Sequence, residues 1–264
     1  MAAERLEELR AGLRRLERVV VAFSGGADSA FLAWMARDTL GPAAALAATA
    51  ISPSLAPEEE RDCADLAVEW GLRWVSVATD ELADPAYTAN DGQRCAHCKS
   101  ALMSVLAPLA ATEGATVVLG VNVDDLGDHR PGQAVAAAAG ATFPLVEAGF
   151  TKADVRSASR RLGLRTWDKP AAACLASRVP YGTPVTVGVL AEVAAAESAL
   201  RRLGFRQLRV RHYGDLARVE LDVDDLEAAL RCRDEVVAAV QGAGYRYVTL
   251  DLEGFRSGNL NQAL

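Results

Sequence analysis

The sequence predicts an α/β protein: a parallel sheet with helices on both faces, joined to a smaller C-terminal α+β domain. Three observations predict it. Strand-like apolar runs alternate with helical periodicities through the N-terminal part of the chain, and such β-α alternation closes a parallel sheet. The run Val19-Val20-Val21-Ala22-Phe23 passes into a Ser-Gly-Gly turn at the mouth of a helix. Around Trp167–Thr186 the periodicity stops, and Pro170, Pro180, Gly182 and Pro184 mark a linker. The expected domains are therefore residues 1–185 and 186–264.

Residues 3–17 carry Leu6, Leu9, Leu13 and Leu16 at helical spacing. After the valine strand, a mostly apolar helix starts near Asp28 with Phe31, Leu32, Trp34 and Met35. A strand is expected near Ala44–Ile51, a helix over Pro57–Trp70 and a short strand over Arg73–Val77. A helix over Cys95–Ala111 and a strand over Thr116–Gly120 follow, then one more strand–helix pair ending near Leu162. In the second domain, Val187–Leu203 reads as a helix and Gln207–Arg211 and Ala217–Asp222 as a hairpin around Tyr213-Gly214-Asp215. A helix over Asp224–Gln241 and a strand over Tyr245–Leu252 complete it.

Of the 264 residues, 51% are hydrophobic and 24% charged, an ordinary soluble composition. No run approaches the about 20 apolar residues of a membrane helix. The N-terminus is charged from Glu4 onward and lacks the apolar core of a secretory signal, so the expected location is the cytoplasm. A net charge of −7 argues against a broad nucleic-acid surface. Five cysteines are an odd number for a disulfide framework and point instead to metal or catalytic roles. Only three of 28 basic residues are lysines, Lys99, Lys152 and Lys169. A lysine kept against such a bias marks a place where a compact ammonium is wanted.

The strongest chemical signal is Ser24-Gly25-Gly26-Ala27-Asp28-Ser29 between strand and helix. Two glycines let backbone N–H groups approach an anion, and the helix N-terminus adds partial positive charge. Ser24 and Ser29 add hydroxyl donors, and Asp28 is a candidate holder of Mg2+. There is no Gly-Lys-Ser/Thr, which excludes a Walker loop. The pattern resembles the PP-loop, SGGxDS, of ATP pyrophosphatases, which implies a Rossmann-like fold and cleavage of ATP between its α and β phosphates. Gly120-Val121-Asn122-Val123-Asp124-Asp125 follows a later strand at the same sheet edge, so Asn122 and Asp125 are candidate nucleotide contacts.

Cys95 and Cys98 form a C-x-x-C, and Cys174 sits in the irregular loop. The pair is compatible with a redox couple, half a zinc site or two ligands of an iron–sulfur cluster; with Cys174 it makes three thiolates. Cys63 and Cys232 lie inside helical patterns and read as small buried hydrophobes. His97, His129 and His212 are assigned no direct chemistry. Arg209 and Arg211, two apart on a strand, share a face and could clamp a phosphate or carboxylate, with Arg206, Arg218 and Glu220 close by in sequence.

Taken together these residues resemble the LarE family, ATP-dependent sacrificial sulfur transferases of nickel-pincer nucleotide cofactor synthesis. The resemblance runs from about Val19 to the end. Besides the PP-loop it rests on Arg94-Cys95-x-x-Cys98-Lys99, Asn122-x-Asp124-Asp125-Leu126-Gly127-Asp128, Trp167-Asp168-Lys169-Pro170 and Cys174-Leu175-Ala176-Ser177-Arg178. It continues through Arg209-Val210-Arg211-His212, Ala217-Arg218 and Arg256-Ser257-Gly258. It implies a pyridinium dicarboxylate mononucleotide as substrate, ATP and Mg2+ as cofactors, and a sulfur delivered from the Cys174 position. In one branch Cys174 gives up its own sulfur. In the other, Cys95, Cys98 and Cys174 hold a 4Fe-4S cluster, and the presence of all three favours that branch. Lys99, Arg178, Glu197, Arg209, Arg211, Glu220 and Arg256 are the implied substrate-binding residues. The expected partners are that small molecule and further copies of the chain, with no membrane and no nucleic acid. The rival readings are a PP-loop tRNA thiolase, disfavoured by the charge, and a nucleotide- or metal-binding module without catalysis.

Overall fold

The computed structural model describes residues 2–127, 131–170 and 173–256. In chain order its elements are α1 (Ala2–Leu16), β1 (Val19–Ala22), α2 (Ala27–Leu40), β2 (Ala45–Ile51), α3 (Pro57–Trp70), β3 (Arg73–Ala78), α4 (Pro85–Thr88), α5 (Arg94–Glu113), β4 (Thr116–Leu119), α6 (Pro131–Ala138), α7 (Pro144–Glu147) and α8 (Lys152–Arg161). Then come α9 (Val187–Arg202), β5 (Leu208–Tyr213), β6 (Leu216–Leu221), α10 (Leu226–Arg231), α11 (Arg233–Gln241) and β7 (Tyr247–Leu250). Among the described residues no helix is long and apolar enough to cross a membrane.

The chain forms two compact units. The first comprises residues 1–52, 58–81 and 95–172; the second comprises 53–57, 82–94 and 173–264.

In the first unit, four parallel strands are ordered β3-β2-β1-β4. Side chains alternate across the sheet: Val19 and Val21 join a core with Leu13, Phe31, Met35 and Phe150, and Val20 joins another with Leu46, Met103, Leu106 and Val117. Helices therefore cover both faces, as the α/β pattern predicts. Each fully buried valine of β1 contributes about 1.5–3 kcal/mol relative to exposure. From β1 the chain moves to β2 and β3 on one side and later returns to β4 on the other. This reversal creates the crevice beyond the strand C-termini where ligands of such sheets bind.

The strand expected ahead of Leu162 shrinks to one parallel bridge, Val118 with Thr142. Gly140, at φ 87, turns the chain just before it, and Pro144 opens α7 two residues later, leaving no room for a longer ladder.

In the second unit β5 and β6 form an antiparallel hairpin, and β7 joins β6 in parallel. Leu200, Phe205, Val210, Val219, Leu221, Val240 and Tyr245 make its core. The single helix expected over Asp224–Gln241 is instead a short 3-10 turn followed by α10 and α11, kinked at Cys232. That residue sits at φ −109, ψ 36, with its thiol on the Ala228 carbonyl at 3.2 Å.

Candidate functional site

The first unit carries the glycine loop. β1 ends in the middle of the sheet and α2 begins five residues later, capped by Gly26 without any side-chain hydrogen bond. The first N–H groups of α2 therefore keep their capacity for an anion. Within the loop the Ser24 N–H donates to Ser29 Oγ at 3.2 Å, the two serine hydroxyls lie 3.1 Å apart, and Ser29 Oγ donates to Gly26 O at 3.1 Å. Among the described residues a Cβ on Gly26 would meet only Ser24 Oγ, at 3.6 Å, so none of them fills the space over that backbone. Gly25 adopts φ +68, and a Cβ there would lie 3.0 Å from Cys63 Sγ and 3.5 Å from Lys169 Nζ. Both strain and crowding exclude other residues. Cys63 is the buried hydrophobe expected, its thiol pushed up to about 11 by burial.

Beyond β4, Gly120 passes against the start of α2. A Cβ there would come within 2.8 Å of the Ser29 nitrogen and 2.9 Å of the Asp28 carbonyl carbon. This close approach brings the Asn122–Asp125 segment beside the loop. Asn122 and Asp125 brace each other reciprocally, each side-chain oxygen accepting from the other's backbone N–H at 3.2 Å. Lys152 Nζ reaches Asp125 Oδ1 at 3.1 Å, and the Lys152 N–H donates to Asp124 Oδ2 at 2.8 Å. Burial, and then the charge of Asp125, raise the Asp28 carboxyl above the ordinary aspartate range, against a hydrogen bond from Asn122 and the cations Lys152 and Arg156. Two carboxylates under this mutual repulsion suit Mg2+, which takes one or two carboxylates and completes its shell with water and phosphate.

Cys95 and Cys98 occupy the first turn of α5, one turn apart and so on one side of the helix; Cys95 is exposed and Cys98 half-buried. Lys99 follows on the same turn and packs with Cys95 O where α6 begins, close enough that a Cβ on Gly132 would overlap both. Lys99 thus belongs to the first unit, whereas the other residues implied in substrate binding belong to the second. Lys169 is held by Glu59 and Asp62 at 2.7 and 2.6 Å, so its charge is engaged beside the glycine loop. Among the described residues, no three His, Cys, Asp or Glu side chains gather as a metal site. Within the first unit, Cys95 and Cys98 offer two thiols with the donor chemistry that iron–sulfur and zinc sites use.

The second unit carries Cys174, exposed at the head of the 3-10 turn Leu175–Arg178. Its loop is tied down through backbone carbonyls. Arg178 Nη1 donates to Ala173 O at 2.6 Å and to Cys174 O at 3.1 Å, Arg211 Nη1 to Ser177 O at 2.8 Å, and Arg94 Nη1 to Ala176 O at 2.9 Å. Asn90, fully buried at φ 57, donates its amide to Pro180 O and Thr183 O, both at 2.8 Å. Neither Asn90 nor Arg94 was marked by the sequence as a holder of this loop.

Behind the loop lies an arginine–glutamate cluster. Glu197, inside α9, takes Arg178 through both oxygens at 2.7 and 2.9 Å, and also Arg201 and the Val210 N–H. Glu220 takes Arg211 at 2.8 Å and Arg218 at 3.0 Å, and Arg218 lies 3.5 Å from Asp251. Burial opposes the charge on Arg178, but Glu197, Cys174 and Glu220 hold its proton above the ordinary arginine value. Arg209 is different. Only 6% exposed and stacked 4.7 Å over Phe255, it makes no ion pair or hydrogen bond among the described residues. Burial and the neighbouring Arg178 and Arg211 pull its pKa down to about 10. Among the described residues of the cluster, three buried guanidinia (Arg178, Arg209, Arg211) thus face two buried carboxylates (Glu197, Glu220), with Arg201, Arg218 and Asp251 at the rim. A buried excess of positive charge is a place for an anion. The shared-face clamp expected of Arg209 and Arg211 is accordingly uneven, because Arg211 is already engaged by Glu220.

Arg256 pairs with Glu253 near the end of the described chain. His212 contacts the Tyr245 hydroxyl at 3.2 Å, its pKa lowered by burial. His129, Asp128, Ser257 and Gly258 lie outside the described residues.

Comparison with known proteins sharpens this picture. The chain is 47% identical over 268 residues, all of it and 99% of the relative, to an uncharacterised protein of Synechocystis sp.. It is 42% identical over 257 residues, 97% of the chain and 93% of the relative, to the pyridinium-3,5-bisthiocarboxylic acid mononucleotide synthase of Lactiplantibacillus plantarum. An uncharacterised protein of Methanocaldococcus jannaschii is 24% identical over 242 residues. No protein-family model matches the chain.

Proposed function

The chain belongs to the LarE family, and from that premise we propose that it is an ATP-dependent sulfur transferase of the cytoplasm. It converts a carboxylate of a pyridinium dicarboxylate mononucleotide into a thiocarboxylate. A carboxylate is a poor acyl donor, so the first half-reaction activates it. The carboxylate oxygen attacks the α phosphorus of ATP, the bond to the β-phosphate bridge breaks, and acyl-adenylate and pyrophosphate result. Ser24, Gly25, Gly26 and Ser29 receive the pyrophosphate, and Asp28 and Asp125 hold Mg2+ with Asn122 alongside.

In the second half-reaction the sulfur at Cys174 attacks the acyl carbon and AMP leaves. Where Cys174 is sacrificed, loss of its α proton and cleavage of its Cβ–S bond leave dehydroalanine and free the thiocarboxylate. Where Cys95, Cys98 and Cys174 hold a 4Fe-4S cluster, the favoured branch, that group when bound supplies the sulfur. Arg209 takes the substrate's phosphate; Lys99 and Arg256 are further candidates for its charged groups. Arg178, Arg211, Glu197 and Glu220 hold the reactive loop and the arginines in place.

The observation that carries the reading is the exposed Cys174 on a loop fixed by Arg178, backed by a cluster with one uncommitted guanidinium. The test is anaerobic purification with iron and sulfide analysis, then incubation with ATP, Mg2+ and the dicarboxylate mononucleotide. Formation of AMP, pyrophosphate and thiocarboxylate in equal amounts is expected. Pyrophosphate without thiolated product would reduce the protein to an adenylating enzyme, and neither would make it a binding module.

A further inference from the structure

The chain keeps only three lysines against a strong preference for arginine, and Lys169 is the one lodged under the glycine loop. Its side chain is 17% exposed. Its ammonium is 3.5 Å from the position a Gly25 Cβ would take, on the side where Cys63 packs. The backbone is fixed there as well: Arg156 donates to the carbonyls of Trp167 and Lys169 at 3.2 and 3.0 Å. Glu59 and Asp62, one turn apart on α3, accept from Nζ. Asp62 is shared with Arg165 at 2.7 Å.

Two acids beside an anion-binding loop are unfavourable for a polyphosphate. Their position is intelligible if they hold and orient a cation for it. An ammonium has three N–H donors and two carboxylates take two, so one remains for a further acceptor. A compact ammonium suits the narrow space beside Gly25 and Cys63 better than a planar guanidinium.

We propose that Lys169 binds the pyrophosphate portion of the nucleotide, its third N–H donating to a phosphate oxygen held over Gly25, with Glu59 and Asp62 aiming it. The proposal rests on the reading of Ser24–Ser29 as the pyrophosphate loop. It predicts that Lys169 acts on the β and γ phosphates and not on the adenosine monophosphate portion.

Calorimetric titration with magnesium pyrophosphate, and separately with AMP, tests it. Wild type is expected to bind both. Lys169→Met should lose about 10- to 100-fold in pyrophosphate affinity, the scale of one hydrogen bond to a charged group, while AMP affinity stays unchanged. That variant also takes the ammonium from Glu59 and leaves Asp62 with Arg165, so Glu59→Gln, Asp62→Asn and Lys169→Met are combined. The combined variant removes the repulsion and any folding defect it causes. It should remain weak for pyrophosphate if the ammonium touches phosphate. Recovery of wild-type affinity by the combined variant would mean that Lys169 only neutralises the acids, and the proposal falls. Wild-type affinity in Lys169→Met overturns it directly. Failure of the wild type itself to bind pyrophosphate would instead remove the loop assignment, and the proposal with it.

Discussion

Arg178 and Glu197 are joined by two parallel hydrogen bonds, Nε to Oε1 at 2.7 Å and Nη2 to Oε2 at 2.9 Å, which leaves Nη1 to bridge the carbonyls of Ala173 and Cys174. The fork both satisfies a buried carboxylate and sets the backbone at Cys174. Arg178→Lys keeps the charge but cannot reproduce the planar set of donors. Thiocarboxylate formation should fall sharply while ATP–pyrophosphate exchange continues. Equal loss of both activities would show that the arginine serves stability alone.

Arg209 and Arg211 should part company on truncation. Arg211→Ala takes from the buried Glu220 its partner at 2.8 Å, and breaking a buried pair on one side costs about 3–5 kcal/mol, so a large fall in Tm is expected. Arg209→Ala removes a buried cation without a described carboxylate partner and should leave Tm unchanged or raised. Its substrate affinity should drop by about 1.5–3 kcal/mol, with pyrophosphate affinity untouched. Calorimetry with substrate and with pyrophosphate, beside thermal melts, distinguishes the two; parallel behaviour would contradict the charge count.

Asp28 gives a pH-dependent test. Its native pKa is raised, so its contribution to stability is fully present below the ordinary aspartate value and is lost as pH rises through the raised one. Once ionised, the carboxyl is therefore a load on the fold that a bound Mg2+ would relieve. Asp28→Asn should melt higher than wild type at pH 7 without metal, where even ~1 kcal/mol appears as about 2–4 °C. It should also abolish pyrophosphate release. A lower melting temperature would show that Asp28 is stabilised by its surroundings instead.

Cys174→Ala should leave adenylation intact and end thiolation, because the thiol is exposed and its loop is held through carbonyls that alanine retains. Mass spectrometry after turnover then separates the sulfur sources. A loss at Cys174 of about 34 Da, hydrogen sulfide, marks a sacrificed cysteine. An intact Cys174, with activity following iron and requiring Cys95 and Cys98, marks the cluster. Thiolated product from the alanine variant would remove Cys174 from the chemistry.

The strand–loop–helix from Val19 to Leu40 was legible in the sequence because a run of apolar residues, two glycines and a helical period coincide there. The helix Pro57–Trp70 was legible to the residue, opening on proline with three acids in its first turn. The kink at Cys232 has no glycine or proline to announce it, and a one-residue bridge at Thr142 leaves no periodicity. Period-2 spacing correctly put Arg209 and Arg211 on one face. It carried no sign that Glu220, whose cross-strand neighbour is Arg209, bonds instead to Arg211 on the diagonal. Likewise Lys169 is adjacent in sequence to the Cys174 loop, and only folding reveals that its ammonium turns to Glu59 and Asp62. Local pattern encodes elements; which charge meets which is decided by contacts distant along the chain.

The clamps on the Cys174 loop also set an order of events during folding. Arg94 reaches Ala176 across 82 residues, Asn90 reaches Pro180 across 90 and Thr183 across 93. Closing such long loops is slow compared with forming a helix or a neighbouring βα pair. The strand and helix that flank the glycine loop, β1 and α2, are neighbours in the chain, so its frame should take shape earlier. The surroundings of the thiol, which need those distant contacts, should be completed later. A refolding protein should accordingly regain its far-UV helix signal well before Cys174 becomes competent, and a chain truncated ahead of Thr183 should keep a formed nucleotide loop but lack a fixed cysteine.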